Sequence, residues 1–164
     1  MRAKPSDLRM VSFSVLALDT IWDDCGIEDD DALLDLHTQC LIDIDFEIHF
    51  DPEERGTYFL HMIVDINTEP KPMPGHQIKV MAEGHFELTS YDGQNEKAVI
   101  ESGLTAVALM VGATRSAILA ATTFSPMCSY TLPAIDMGSL IRAKDLQNRS
   151  KARKADKGKK SPRK

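Results

Sequence analysis

From Ile42 to Phe50 every second residue is apolar: Ile42, Ile44, Phe46, Ile48 and Phe50 alternate with Asp43, Asp45, Glu47 and His49. A period of two predicts a β-strand with one dry face and one wet face. The same alternation runs from Tyr58 to Ile66, with Tyr58, Leu60, Met62, Val64 and Ile66 on one side. It returns from Ile78 to Leu88, where Lys79, Glu83, His85 and Glu87 stand opposite Ile78, Val80, Ala82, Phe86 and Leu88. Gly84 inside this strand predicts a bulge or a close backbone contact. A further strand is expected from Leu8 to Leu18, rich in Val, Phe and Leu, with Ile21 and Trp22 following it. Asp51 to Gly56 has the chemistry of a turn. Glu69 to Gly75 contains three prolines, which lack the donor a sheet interior needs.

Beyond Tyr91-Asp-Gly-Gln-Asn95 the period changes. Ile100, Leu104, Val107, Val111 and Ile118 recur at helical spacing, and nothing from Leu104 to Ala113 is charged. Apolar groups on several sides predict a helix covered on more than one face. Leu104, Val107, Ala108 and Val111 are therefore expected at an interface between copies of the chain. A Pro-marked connection follows, then a second amphipathic segment. Strands grouped first and helices last predict an α+β fold. Its expected form is a four-stranded antiparallel sheet, then a long helix and a shorter C-terminal helix.

Composition sharpens this picture at the C-terminus. The 164 residues, 43% of them hydrophobic, suit one domain over 8–146 and a tail over 147–164. From Arg142 to Lys164 there are eleven Lys or Arg and two Asp or Glu, whereas the preceding chain has eight basic and 23 acidic residues. The body is thus acidic and the tail basic. With no large apolar group after Leu146, the tail is expected to be disordered. No charged-then-apolar N-terminus predicts a signal peptide, and the uncharged run from Ser116 to Ile135 is interrupted by prolines, so no membrane insertion is expected. Three widely spaced cysteines (Cys25, Cys40 and Cys128) suit free thiols and a cytoplasmic setting.

The chain has no phosphate-binding glycine loop, no HExxH and no CxxC. Its five histidines are scattered, and those at 49, 61 and 85 fall on polar strand faces. No metal, no cofactor and no enzymatic activity are expected.

Arg115-Ser-Ala-Ile-Leu119, Phe124, Pro126, Leu132-Pro-Ala-Ile-Asp-Met137 and Leu140-Ile141 resemble the end of the SecB family of chaperones. There a helix carrying an Arg leads through a loop to a Leu-Pro-Pro-Ile-Asn-Phe type motif and a last amphipathic helix. Val80-Met-Ala-Glu-Gly84-His-Phe86 is similar to the family's final strand. The order of four strands and two helices agrees over roughly Leu8 to Leu146. The resemblance implies a holdase for non-native polypeptides, a homotetramer built as a dimer of dimers, and either export through the SecA translocase motor or protection of an antitoxin. Val111-Gly112-Ala113 stands where the family has Phe-Pro-Tyr, and Ala134 replaces the second Pro. Lys79 stands where SecA-docking members carry an acid, which favours the chaperone role over export.

Eight Met and one Trp suit adaptable contacts with many clients. The client groove is expected along Leu18, Ile21 and Trp22 on one side and Met127, Tyr130, Leu132, Ile135 and Met137 on the other. An enzyme of hot-dog type also pairs a long helix with an antiparallel sheet, but its helix comes before most strands. The second reading is a nucleic-acid or ribosome-binding protein acting through the basic tail. It ranks lower, because the tail lacks aromatics on which bases could stack.

Overall fold

The computed structural model describes residues 6–23, 39–51, 53–54, 56–89, 96–125 and 129–159. Cys25, the acidic residues from Asp24 to Asp31, His37, the turn at 91–95, Pro126, Met127 and Cys128 lie outside the described residues. The chain divides into two compact units, Met1–Leu132 and Pro133–Lys164.

The first unit is an antiparallel sheet with one long helix. Strands β1 (Leu8–Asp23), β2 (Ile42–Phe50), β3 (Thr57–Ile66) and β4 (Gly75–Leu88) lie in the order β1-β4-β3-β2. Helix α1 (Glu96–Thr122) packs over β1, β4 and β3. The alternation seen in sequence becomes alternation of burial: Tyr58, Leu60, Met62, Val64 and Ile66 of β3 are buried beneath the helix, as are Ile78, Val80, Ala82 and Phe86 of β4. Each large side chain withdrawn in this way stabilises the fold by about 1.5–3 kcal/mol. Helix α2 (Met137–Lys159) belongs to the second unit.

The first strand is longer than the pattern implied, and Ile21 and Trp22 belong to it. Its register against β4 slips between Met10 and Ser12 and again between Val15 and Ala17. Each bulge inserts one residue and reverses the parity of all that follow. Met10, Phe13, Val15, Leu18 and Trp22 consequently pair with the inward residues Phe86, Gly84, Ala82, Val80 and His76, although their numbers do not alternate.

Close approach explains Gly84. A β-carbon there would come 2.7 Å from Cε2 of Phe86 and would also strike Sδ of Met110 on α1. The glycine admits the helix to the sheet, and the bulges lie on the neighbouring strand instead. The turn after β2 is held by Asp51, whose Oδ1 accepts from the backbone N–H of Glu53 (2.8 Å) and Glu54 (3.2 Å). Gly56 closes it with a φ of 87°, where a side chain would be strained. The proline-rich loop is fastened by Asn67, whose Oδ1 accepts from Met73 N–H and whose Nδ2 donates to Met73 O, both at 2.7 Å.

Two expectations are corrected here. Helix α1 is not apolar-covered on all sides: Val107 and Val111 are 1% and 4% exposed against the chain's own sheet, while Leu104 and Ala108 point outward. Of the four interface residues, only those two are free to meet another copy. Over 147–159 the expected tail is helical, because α2 continues to Lys159. Its Gln, Lys, Arg and Ala residues are good helix formers, and Asp145 pairs with Arg149 one turn on at 2.9 Å. Helix formation there follows local propensity rather than burial.

Candidate polypeptide-binding site

The residues expected to line a groove separate into different places. Leu18 and Trp22 are half-buried on the inner face of β1, whereas Ile21 pairs with Gln77 on the outer face and is 60% exposed. Tyr130 and Leu132 are core residues, each 1% exposed. Ile135 and Met137 are half-exposed in the second unit. Met127 lies outside the described residues.

Tyr130 and Leu132 are buried because the connection is tied to the end of α1. The backbone N–H of Tyr130 donates to Oγ1 of Thr122 (2.9 Å), whose own hydroxyl donates to Ile118 O (2.9 Å). Nε of Arg115 donates to Leu132 O at 2.8 Å. Tyr130 meets buried His76 with ring centroids 6.1 Å apart, and Trp22 meets the same imidazole edge-on at 4.7 Å. Burial pushes the Tyr130 phenol up to about 12, with a further rise from the neighbouring Cys40 thiol. Burial likewise raises the Cys40 thiol, which makes it a poor nucleophile. This cluster holds structure together and leaves no room for a client.

Apolar surface remains along the two edge strands. Helix α1 reaches β2 at Gly103, 3.4 Å from Cδ1 of Ile48, but leaves Ile42, Ile44 and Ile48 half-buried and Phe50 57% exposed. On the other edge strand, β1, Val15, paired with inward Ala82, remains exposed, as do Val11 and Leu16 at the two register slips. Phe124, just past the end of α1, is 93% exposed. Sequence reasoning missed these positions. Phe50 carried a signal as the last inward residue of its strand, beyond the reach of a helix centred elsewhere. Val11 and Leu16 carried none, since only the register reveals the bulges.

The outer sheet face carries most of the strands' charged and polar residues, with Ile21 and Met81 exposed among them. His61 lies 3.3 Å from Glu83, His49 3.6 Å from Glu47, and the two imidazoles are 5.2 Å apart. Among the described residues no group of three His, Cys, Asp or Glu is placed to hold a metal ion. Asp43 pairs directly with Asp65 across β2 and β3, and Lys79 of β4 sits 3.5 Å from the Asp65 carboxylate. Like charges in register repel, so Lys79 has a structural reason to be basic. A cavity of about 380 Å3 beside these acids is lined by Leu41, Ile42, Asp43, Asp65, Thr68 and Glu69. Its carboxylates make it a poor site for apolar segments.

Over Glu101–Thr122, α1 is long and apolar enough to cross a membrane by composition. One side of it is nevertheless the lid of the sheet, with Val107, Met110 and Ile118 buried there.

No protein-family description and no curated protein matches the chain. Among solved structures it is similar to a SecB-like chaperone of Mycobacterium tuberculosis, solved in complex with a peptide from the HigA1 antitoxin. The two share 12% identity and a TM-score of 0.50, over 79% of this chain and 91% of that one. The four antiparallel strands followed by a long and a shorter helix are thus the fold of a SecB-like chaperone.

Proposed function

We propose that this chain is a holdase: it binds extended segments of non-native polypeptide, without chemistry, and keeps them from aggregating. The observation that carries the reading is the apolar surface left open along the two edge strands, β1 and β2, of a body rich in acidic residues. Exposed apolar groups collect segments of many sequences, while net negative charge keeps the loaded complex soluble. That the structural neighbour was solved with a peptide from an antitoxin supports a polypeptide as the ligand. Lys79, placed beside Asp65 at a position where SecA-docking chaperones are acidic, favours a client such as an antitoxin over translocase docking.

The working unit is a cytoplasmic homotetramer arranged as a dimer of dimers. Leu104, Ala108, Leu109 and Leu119 form the outward side of α1 and are exposed in the single chain. Burying them against another copy removes apolar area at about 25 cal/mol per Å2.

The test is suppression of aggregation of a chemically denatured client, with light scattering to give the mass of the free chaperone. Leu16→Ser and Phe50→Ser should melt normally and protect poorly. Leu104→Asp should lower the mass. An unmodified chain that fails to delay aggregation at several-fold molar excess overturns the holdase reading, and a monodisperse monomer overturns the tetramer.

A further inference from the structure

In β2 the alternation of side chains and the alternation of backbone amides coincide. Leu41 O accepts from the backbone N–H of Asn67 at 2.9 Å, so odd-numbered residues turn their amides toward β3. Even-numbered residues turn theirs to the outer edge of the sheet, and these are the apolar ones, from Ile42 to Phe50. At the middle of that edge the chain supplies its own acceptor: Phe46 N–H donates to Oδ1 of Asp45 at 3.0 Å. Among the described residues no strand lies beyond β2. The face away from the helix presents Asp43, Asp45 and Glu47, and neither β2 nor β3 contains a Lys or Arg. β1, the other edge, is interrupted by two bulges, a feature that discourages pairing with a further strand. β2 pairs with β3 in one unbroken register.

We propose that β2 takes up its polypeptide client as an added strand in which apolar residues alternate with Lys or Arg. The proposal deepens the holdase reading and rests on it. An added strand gains main-chain bonds that are indifferent to sequence. It also lays every second side chain over Ile44, Ile48 and Phe50, where α1 leaves the sheet half-covered. The intervening side chains then stand beside Asp43, Asp45 and Glu47, at the β-carbon separation of about 4.5–5.5 Å found between paired strands. Basic residues complement this row. Acidic ones are repelled, and so is a second copy of β2, which would set carboxylate against carboxylate. Asp45 couples the two requirements. Its carboxylate holds the N–H that a client carbonyl needs, and a client cation beside it offers that carboxylate a full charge in place of a neutral amide. Asp45 thus yields Phe46 N–H to a strand that brings a cation and withholds it from one that does not.

The experiment is fluorescence anisotropy of the full chain with end-blocked, labelled peptides of the length of β2, at about 150 mM salt. Alternating valine and lysine should bind at least about tenfold more tightly than the same residues in two blocks, and than valine alternating with glutamate. Methylating the backbone nitrogens of all valines, or of all lysines, should abolish binding in one case and spare it in the other, because only alternate amides face β2. Asp45→Ala uncovers Phe46 N–H and should bind a valine–glutamine peptide at least about threefold more tightly than the unmodified chain does, with less preference for lysine over glutamate. Asp45→Asn, whose amide oxygen still accepts from Phe46, should lose the preference without that gain. Equal affinity for the alternating and blocked peptides, equal effects of the two methylations, or identical behaviour of the two Asp45 variants would overturn the proposal. Ile44→Pro deletes an edge N–H and leaves the β2–β3 ladder in place. If it lowers the mass of the peptide-free chain and spares peptide affinity, the edge belongs to a second copy and the proposal is overturned. A chain that delays aggregation of a denatured client yet ranks the peptides alike keeps the holdase reading and loses this one. A chain that ranks them as expected yet gives no protection loses the holdase reading alone.

Discussion

The indole of Trp22 stands edge-on to the buried imidazole of His76, ring centroids 4.7 Å apart and planes at 70°, where the end of β1 pairs with the start of β4. Tyr130 approaches the same imidazole from the connection. Three segments distant in sequence therefore close on one histidine. Tyr130→Ala and Leu132→Ala should each destabilise the fold, by about 3–5 and about 2–5 kcal/mol. Trp22→Ala, at a half-buried position, should cost less. Thermal melting of the three variants measures this, and protection per folded molecule should be unchanged for the two core variants.

The Tyr130 phenol gives the fold an alkaline limit. Its folded value of about 12 lies above the ordinary value of 10.0, because burial disfavours phenolate. A raised folded value contributes stability that is complete below pH 10 and lost as pH climbs from there toward 12. Tyr130→Phe should flatten this loss in a series of melts from pH 8 to pH 12. Tyr58, raised for the same reason, should leave part of it in place.

Gly84→Ala should cost about 1–3 kcal/mol, because the new methyl meets Phe86 and Met110 in a packed layer. Met110→Ala in the same chain should recover part of the loss, since it opens the space from the helix side. A double-mutant cycle by chemical denaturation reads the coupling.

Lys79→Glu would place an acid beside Asp65, already opposite Asp43. The expected loss is ~0.2–1 kcal/mol at low salt, shrinking as salt screens the repulsion. A large, salt-independent loss would mean that Lys79 has a packing role.

Removing Arg149 to Lys164 should leave the melting temperature of the sheet unit unchanged, while the far-ultraviolet helix signal falls. The removed residues offer almost no apolar area. A drop of several degrees would show that the basic end of α2 supports the fold.

Legibility from sequence followed the regularity of each strand. β2 runs from Ile42 to Phe50, the bounds its alternation implied, and β3 gains only Thr57. β1 was cut short at Leu18 because two bulges break its period; without the register, Ile21 and Trp22 look like a strand exit. Ile21 and Trp22, expected along one groove, therefore face opposite ways. Tyr130 and Leu132 were hidden for another reason. Their burial depends on Thr122 and Arg115 reaching from the helix to backbone groups of the connection, and such side-chain-to-backbone bonds leave no periodic trace. The uncharged stretch of α1 implies cover on several sides, whereas in the single chain the helix lies on one sheet and is buried on one side only.

The order β1-β4-β3-β2 also sets a timetable for synthesis. β2, β3 and β4 pair with neighbours in sequence and can fold as a meander once they emerge. β1 must wait for its partner: Asp7 and Thr89, which bond to each other beyond the ends of the β1–β4 ladder, are 82 positions apart. At about 5–20 residues per second, the first strand spends several seconds outside the ribosome with its backbone unpaired and Val11, Val15 and Leu16 uncovered. The nascent chain is thus for that interval a non-native polypeptide with exposed apolar groups, of the kind the proposed function would bind.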